Sequence, residues 1–195
     1  MKKLIVIIVF IAGFSLSMMA QVVLKPQIGL NMSVPIVADN NFTQISGLAG
    51  QWGVSLLLGK KFYVEPGVIW ANYKNKVVLF EGDEGHDLQY SVLKIPVFAG
   101  FHIVGNSKSF FDLRLFAGPS MSILLKNEDN SFRDEYMKNT SFSVNGGLGL
   151  SVWFIFFDIG YEYGITDIYV QKEDGYNNSM SVNNIWFNLG ARIRF

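Results

Sequence analysis

The sequence contains no cysteine. That excludes disulfides, thiolate metal sites and a lipoprotein acyl anchor. It has no basic excess either: Lys+Arg and Asp+Glu number 16 each, so the charge balance gives no reason to expect nucleic acid as a partner. Only two histidines occur, and no His, Asp or Glu spacing has the form of a metal centre. No glycine-rich loop follows a strand and opens a helix, so the phosphate-cradling motifs are missing. Beyond the first twenty residues, no apolar run approaches the ~18–20 residues that a spanning helix needs. With 195 residues, the chain has room for one domain.

What is present is greasy and aromatic. Half of the residues are hydrophobic, 15% are aromatic, and glycine is plentiful at 19. Met1-Lys2-Lys3 followed by the apolar stretch Leu4 to Leu16 has the form of a signal peptide: a basic start and a core too short to span a bilayer comfortably. Residues 1–20 are assigned to it, with cleavage after Ala20 and an alternative site at Ser15-Leu16-Ser17. An uncleaved anchor helix is the competing reading.

Residues 21–195 form one domain of eight alternating segments, at about 22–34, 48–59, 62–73, 88–103, 110–124, 141–154, 157–168 and 184–195. The last is the clearest. Ile185, Phe187, Leu189, Ala191, Ile193 and Phe195 fall on one face, and Asn188, Gly190, Arg192 and Arg194 on the other. Period-2 alternation of this kind marks a strand with one apolar face. Leu57 and Phe98 break the pattern in their segments. Pro26, Pro66 and Pro96 fall inside strands, where each removes a ladder hydrogen bond, so bulges or strand ends are expected there.

The connections alternate in length. Gly59 to Lys61, Val104 to Ser109 and Ile155-Phe156 are short turns. Pro35 to Gly47, Lys74 to Asp87, Leu125 to Thr140 and Tyr169 to Asn183 are long and polar. Short turns at one end and long loops at the other are the layout of an outer-membrane barrel. Aromatics gather toward the short-turn end (Phe62, Phe101, Phe110, Phe111, Phe154, Phe156, Phe157, Phe195), with Trp52, Trp70, Phe142 and Tyr163 toward the other. Two such girdles match the two membrane interfaces.

The rival is a soluble lipocalin-like barrel with its apolar face inward. Its outer face should then be rich in Lys and Glu. Here the polar face is Gly, Ser and Asn with a few balanced charges: Lys25, Lys94, Arg114, Arg192 and Arg194 against Glu65, Asp112, Asp158 and Glu162. Small residues suit the crowded lumen of an eight-stranded barrel, and charges removed from water need partners. Pairing the last two segments sets Asp158 near Arg194 and Glu162 near Arg192, so these four are the candidate lumen salt-bridge residues. The expected fold is all-β: an eight-stranded antiparallel up-and-down transmembrane β-barrel in the outer membrane.

Several stretches carry a family resemblance: Gln27-Ile28-Gly29-Leu30-Asn31, Leu93-Lys94-Ile95-Pro96, Leu115-Phe116-Ala117-Gly118-Pro119, the run from Asp158 to Ile168, and the terminal Arg192-Ile193-Arg194-Phe195. Together, in this order, they resemble small outer-membrane barrels of the OmpA/OmpX-like kind. The chain looks most like the PorT-like group of Bacteroidetes-type bacteria. The resemblance implies an outer-membrane location and a closing strand whose final Phe195 the barrel-insertion machinery reads as a signal. It implies no activity, although PorT itself is tied to protein secretion.

Candidate chemistry is thin. His86 sits in the acidic stretch Glu81 to Asp87 and His102 on the polar face of the fourth segment. General acid–base work needs groups within about 3 Å of the reacting proton, and no serine partner for His86 is evident, so the stretch reads as a solvated loop. Asn127 to Asn130 with Asp134-Glu135 offers oxygen ligands without EF-hand spacing. A pore is not expected, because eight strands leave no aqueous channel. The expectation is therefore a protein that is not an enzyme and has no catalytic, metal or cofactor site. Its expected partners are outer-membrane lipid, the insertion machinery and envelope proteins met through the loops. A secretion-associated role is one alternative, and a lipid-modifying or proteolytic barrel enzyme is a more distant one.

Overall fold

In the computed structural model, the described residues are 21–35, 43–45, 47–78, 86–127, 139–166, 169–173, 176–180 and 182–195. They form twelve strands: β1 (Val22–Pro35), β2 (Thr43–Ile45), β3 (Leu48–Gly59), β4 (Phe62–Val78), β5 (His86–Val104), β6 (Phe111–Asn127), β7 (Thr140–Val152), β8 (Ile155–Gly164), β9 (Tyr169–Glu173), β10 (Tyr176–Met180), β11 (Val182–Ala191) and β12 (Ile193–Arg194). The signal-peptide assignment of residues 1–20 lies outside the described residues.

Eight staves close on themselves. β1, β3, β4, β5, β6, β7, β8 and β11 pair antiparallel in sequence order, and β1 pairs back onto β11 and its continuation β12. The register fixes the shear. A walk of paired residues from Val22 runs through Leu58, Val64, Ala99, Ala117, Gly146, Tyr161 and Ile185, and returns to β1 at Met32, ten residues further along. That offset at ~3.3 Å per residue, against eight strands ~4.8 Å apart, tilts the staves by about 40°. Each residue then climbs ~2.5 Å along the axis, so roughly ten to twelve residues cross the apolar layer.

Alternation decides which face is which. Burial along β8 runs strictly exposed, buried, exposed, buried from Ile155, and β3 and β7 follow nearly the same rule. The outward side chains are apolar: Ile28, Trp52, Val68, Val97, Leu148, Ile159 and Leu189 are all exposed. In water, such a face would exceed the few hundred Å² that monomeric soluble proteins tolerate in one patch. In hydrocarbon it faces its own kind. The closed ladder satisfies the backbone there, leaving no edge.

Several expectations need correction. The seventh stave begins at Ile155, and the turn before it is Trp153-Phe154 rather than Ile155-Phe156. Phe156 therefore leaves the outer aromatic girdle and points into the lumen, buried. Trp153 holds positive φ (57°), a conformation few non-glycine residues adopt. Its carbonyl accepts hydrogen bonds from Arg192 Nη2 (2.9 Å) and Arg194 Nη2 (2.8 Å), which hold the turn in place.

The prolines make neither bulges nor strand ends. Register is unchanged on both sides of Pro66, but the ladder to β3 skips from Ser55–Gly67 to Leu58–Val64, and the ladder to β5 skips from Pro66–Val97 to Ile69–Lys94. The chain gives up pairs beside each ring without slipping. The register shifts fall instead at Ser91/Val92 and His102/Val104 of β5. The second long connection is shorter than expected, because β4 runs on to Val78 and β5 starts at His86, with β2 pairing against β4. The last connection contains the β9–β10 hairpin. In the sequence the apolar–polar alternation fades over these extensions, since a strand outside hydrocarbon needs no continuous apolar face.

Candidate functional site

The lumen is the one interior this fold offers, and its side chains stack in layers. At the short-turn end, His102 and Asp112 enter from β5 and β6, Arg114 stands two residues further up β6, and Arg192 sits at the break between β11 and β12. All four are buried. Arg192 Nη1 donates to Asp112 Oδ2 (3.2 Å), and Arg114 Nη1 reaches the same oxygen (3.4 Å) and Ser151 Oγ (2.9 Å). The other Asp112 oxygen lies against His102 Nδ1.

In the layer next to it, Lys25 is wholly buried between two carboxylates. It donates to Glu65 and, at 2.9 Å, to Asp158 Oδ2, and its ammonium sits 4.3 Å from the centre of the Phe156 ring. Ser55 Oγ donates to Glu65 (2.6 Å). Arg114 Nη2 donates to Asp158 from the other side. The two layers are thus one network, Glu65–Lys25–Asp158–Arg114–Asp112–Arg192. Nearer the long-connection end, Lys94 donates to Glu162, which also accepts from Ser143 Oγ (2.8 Å).

The four candidate residues are placed as follows. Asp158, Glu162 and Arg192 point inward and are ion-paired, but not with one another. Asp158 pairs with Lys25 and Arg114, Glu162 with Lys94, and Arg192 with Asp112. Arg194 is a correction: it is exposed and donates to the backbone carbonyls of Lys108, Ser109 and Trp153. Arg194 pairs with the lumen-facing Val23, so it stays on the inward side of its strand, but it sits at the short-turn mouth of the barrel, where it meets solvent. Phe195 is exposed, and its amide donates to the Val22 carbonyl (3.1 Å).

Two interior features were missed. An aromatic plug of Phe98, Phe116 and Trp186 crosses the lumen, with ring centroids 5.2–6.2 Å apart and Leu57, Val23 and Tyr63 packed into the same cluster. Leu57 and Phe98, the two breaks in alternation, were its visible signal. Trp186 Nε1 donates to Asn145 Oδ1 (3.0 Å), satisfying the indole. The second feature is Ser107, buried in the turn after β5, 3.3 Å from His102 Nε2. Ser107, His102 and Asp112 thus have the connectivity of a nucleophile–base–orienter chain. Yet Ser107 Oγ donates to the Gly59 carbonyl (2.9 Å), and all three groups are at most 1% exposed. The arrangement fastens the turn across the barrel floor and presents no nucleophile to a substrate.

Two small cavities lie among the described residues. One of about 20 Å³ is lined by residues including Gln51, Glu65, Phe98 and Trp186, and one of about 40 Å³ by residues including Tyr73, Ser122 and Thr166. Lys94 and Glu162 border both. A water needs roughly 10–15 Å³ measured this way, so these are spaces for one to a few waters. Among the described residues no cluster of His, Asp or Glu could hold a metal ion. The side chains of His86 and its acidic neighbours, and the carboxylates at 128–135, lie outside the described residues.

A closed antiparallel eight-stave barrel, apolar outside and charge-neutralised inside, defines an outer-membrane type of β-barrel. Residues 7–170 match the family model described as outer membrane protein beta-barrel domain. The chain belongs to that family. No curated protein matches the sequence. Among solved structures, the outer membrane protein OprG from Pseudomonas aeruginosa is similar in fold at 15% identity and a TM-score of 0.59, over 90% of this chain and 96% of that one. Neisserial surface protein A (16% identity, TM-score 0.48, 89% and 97% covered) and the attachment invasion locus protein Ail of Yersinia pestis (14%, 0.47, 89% and 99%) are more distant matches.

Proposed function

We propose that this protein is a non-enzymatic outer-membrane barrel whose biological contacts are made by its long connections and its outer wall, in a structural or binding role in the cell envelope. The observation that carries this reading is the filled interior. Lys25, Lys94, Arg114 and Arg192 are each paired with Glu65, Asp112, Asp158 or Glu162, and an aromatic plug separates the layers. A barrel whose interior charges are paired with one another keeps its specificity at the surface. Its partners are outer-membrane lipid, the insertion machinery and envelope proteins. Crosslinking in intact outer membranes followed by purification tests this. Recovery of specific envelope proteins supports it, and recovery of the lone barrel under conditions that trap known complexes counts against a binding role.

The finer reading is a component of a secretion assembly of the PorT-like kind, supported by the resemblance carried on Leu93-Lys94-Ile95-Pro96 and the run from Asp158 to Ile168. A deletion strain that exports its cargo normally would rule it out. The enzymatic alternative centres on His86 and Asp83. If His86→Ala and Asp83→Ala leave lipid A structure and surface proteolysis as in wild type, that alternative is finished.

A further inference from the structure

Charge is sorted along the barrel axis. Among the described side chains, Glu65, Asp112, Asp158 and Glu162 are buried in the lumen and none lies in a short turn; the other acidic residues fall in sequence within or beside the long connections. The short-turn end carries Lys60, Lys61, Lys108 and Arg194, all exposed. These four sit on a joined surface. Ser107 Oγ donates to the Gly59 carbonyl beside Lys60 (2.9 Å), the His102 amide to the Lys61 carbonyl (2.9 Å), and Arg194 Nη1 to the Lys108 carbonyl (3.2 Å). Each station also carries an exposed aromatic close by in sequence: Phe62 after Lys61, Phe110 near Lys108, and Phe195 after Arg194. Aromatics of this kind settle at headgroup depth, with cationic tips reaching into the same layer.

We propose that Lys60, Lys61, Lys108 and Arg194 form a binding rim for the phosphates of anionic phospholipids in the membrane leaflet at the short-turn end. The aromatics fix the depth and the lysines supply the charge, and among the described residues the acidic side chain at this end, Asp112, is buried and already paired with Arg114 and Arg192, which leaves the exposed charge unopposed. A lipid is favoured over a soluble polyanion because every cation is flanked by an outward aromatic at the membrane boundary. The inference rests on the membrane reading of the barrel, which heat-modifiable gel mobility with fractionation tests separately.

Each lysine near an anionic lipid surface is worth about fivefold in binding, so removing three should lower lipid retention by roughly a hundredfold. The experiment is native mass spectrometry of the membrane-extracted protein titrated with phosphatidylglycerol or phosphatidylethanolamine. Wild type should retain phosphatidylglycerol preferentially. The variant carrying Lys60→Gln, Lys61→Gln and Lys108→Gln should lose the preference, and the triple Lys→Arg variant should keep it. No preference in wild type, or a preference that survives the glutamine substitutions, overturns the proposal. Capture of the protein by isolated peptidoglycan through the same lysines, without lipid preference, also overturns it. Should the glutamine variant fail to refold, wild type alone decides the matter: a preference undiminished at about 0.5 M salt, where surface charge is screened within a few ångströms, contradicts a phosphate rim.

Discussion

Replacing Lys25 with methionine isolates the electrostatics of the lumen. The ammonium is fully buried and serves two carboxylates, Glu65 and Asp158. After Lys25→Met, Asp158 still holds Arg114, whereas Glu65 keeps only the Ser55 hydroxyl. One carboxylate is therefore orphaned, not two. Breaking a buried pair on one side costs about 3–5 kcal/mol, a large share of the roughly 5–15 kcal/mol that holds a typical domain folded. The lost contact with the Phe156 ring adds on the order of 1 kcal/mol. The double variant Lys25→Met/Glu65→Gln restores neutrality and should recover most of the loss, because a neutral amide can still accept from Ser55. Urea unfolding in phospholipid vesicles, followed by tryptophan fluorescence and analysed by linear extrapolation, measures both variants. If Lys25→Met stays within about 1 kcal/mol of wild type, or if the double variant is no more stable than the single one, the paired-network account of the lumen is wrong.

Four further outcomes are expected. Gly160→Val should destabilise the barrel by about 1–3 kcal/mol in the same unfolding assay, because any Cβ there meets the face of Trp186. A fluorophosphonate probe should leave Ser107 unlabelled in the folded protein, since the hydroxyl is buried and committed to Gly59; stoichiometric labelling would reopen a hydrolytic role. Reconstitution in planar bilayers should give no porin-scale conductance, and Lys94→Met/Glu162→Gln should not create one. That pair borders both small cavities, but Arg114 and the Phe98–Phe116–Trp186 plug still cross the lumen beyond it. Deleting Phe195 should slow assembly of the heat-modifiable form in cells, and normal insertion would remove the residue's role as a signal.

Strand positions were readable because lipid on one side and a crowded polar lumen on the other impose strict alternation. β3 falls where the pattern places it, from Leu48 to Gly59. The strand ends that alternation missed are those outside the bilayer: β4 beyond Tyr73, β5 before Leu88, and the β9–β10 hairpin. There no lipid requires an apolar face, and the period fades in the sequence. Inside the lumen, the sequence revealed which residues were charged but not which ones met. Neighbouring strands suggested Asp158 with Arg194 and Glu162 with Arg192. The actual partners reach across the lumen, as Lys25 does to Asp158 and Lys94 to Glu162. A ten-residue shear brings together levels that no adjacent pair of segments displays. Leu57 and Phe98 looked like errors of pattern because an apolar residue on a polar face makes sense only once its partners, Phe116 and Trp186, are seen beside it.

The closing seam has a consequence for the order of events. Every neighbouring pair of staves is joined by a connection along the chain except β1 with β11 and β12. The seam at the short-turn end is held where the amide of Phe195 meets the carbonyl of Val22. Hairpins can form as the chain emerges, but the sheet stays a ribbon with two bare edges until its last stave arrives. A circularly permuted chain, with residues 21 and 195 joined by a short linker and cut within a long connection, would move those bare edges to another pair of staves and keep the finished barrel. Comparing its rate of assembly with that of the natural order would separate what the architecture requires from what the direction of synthesis contributes.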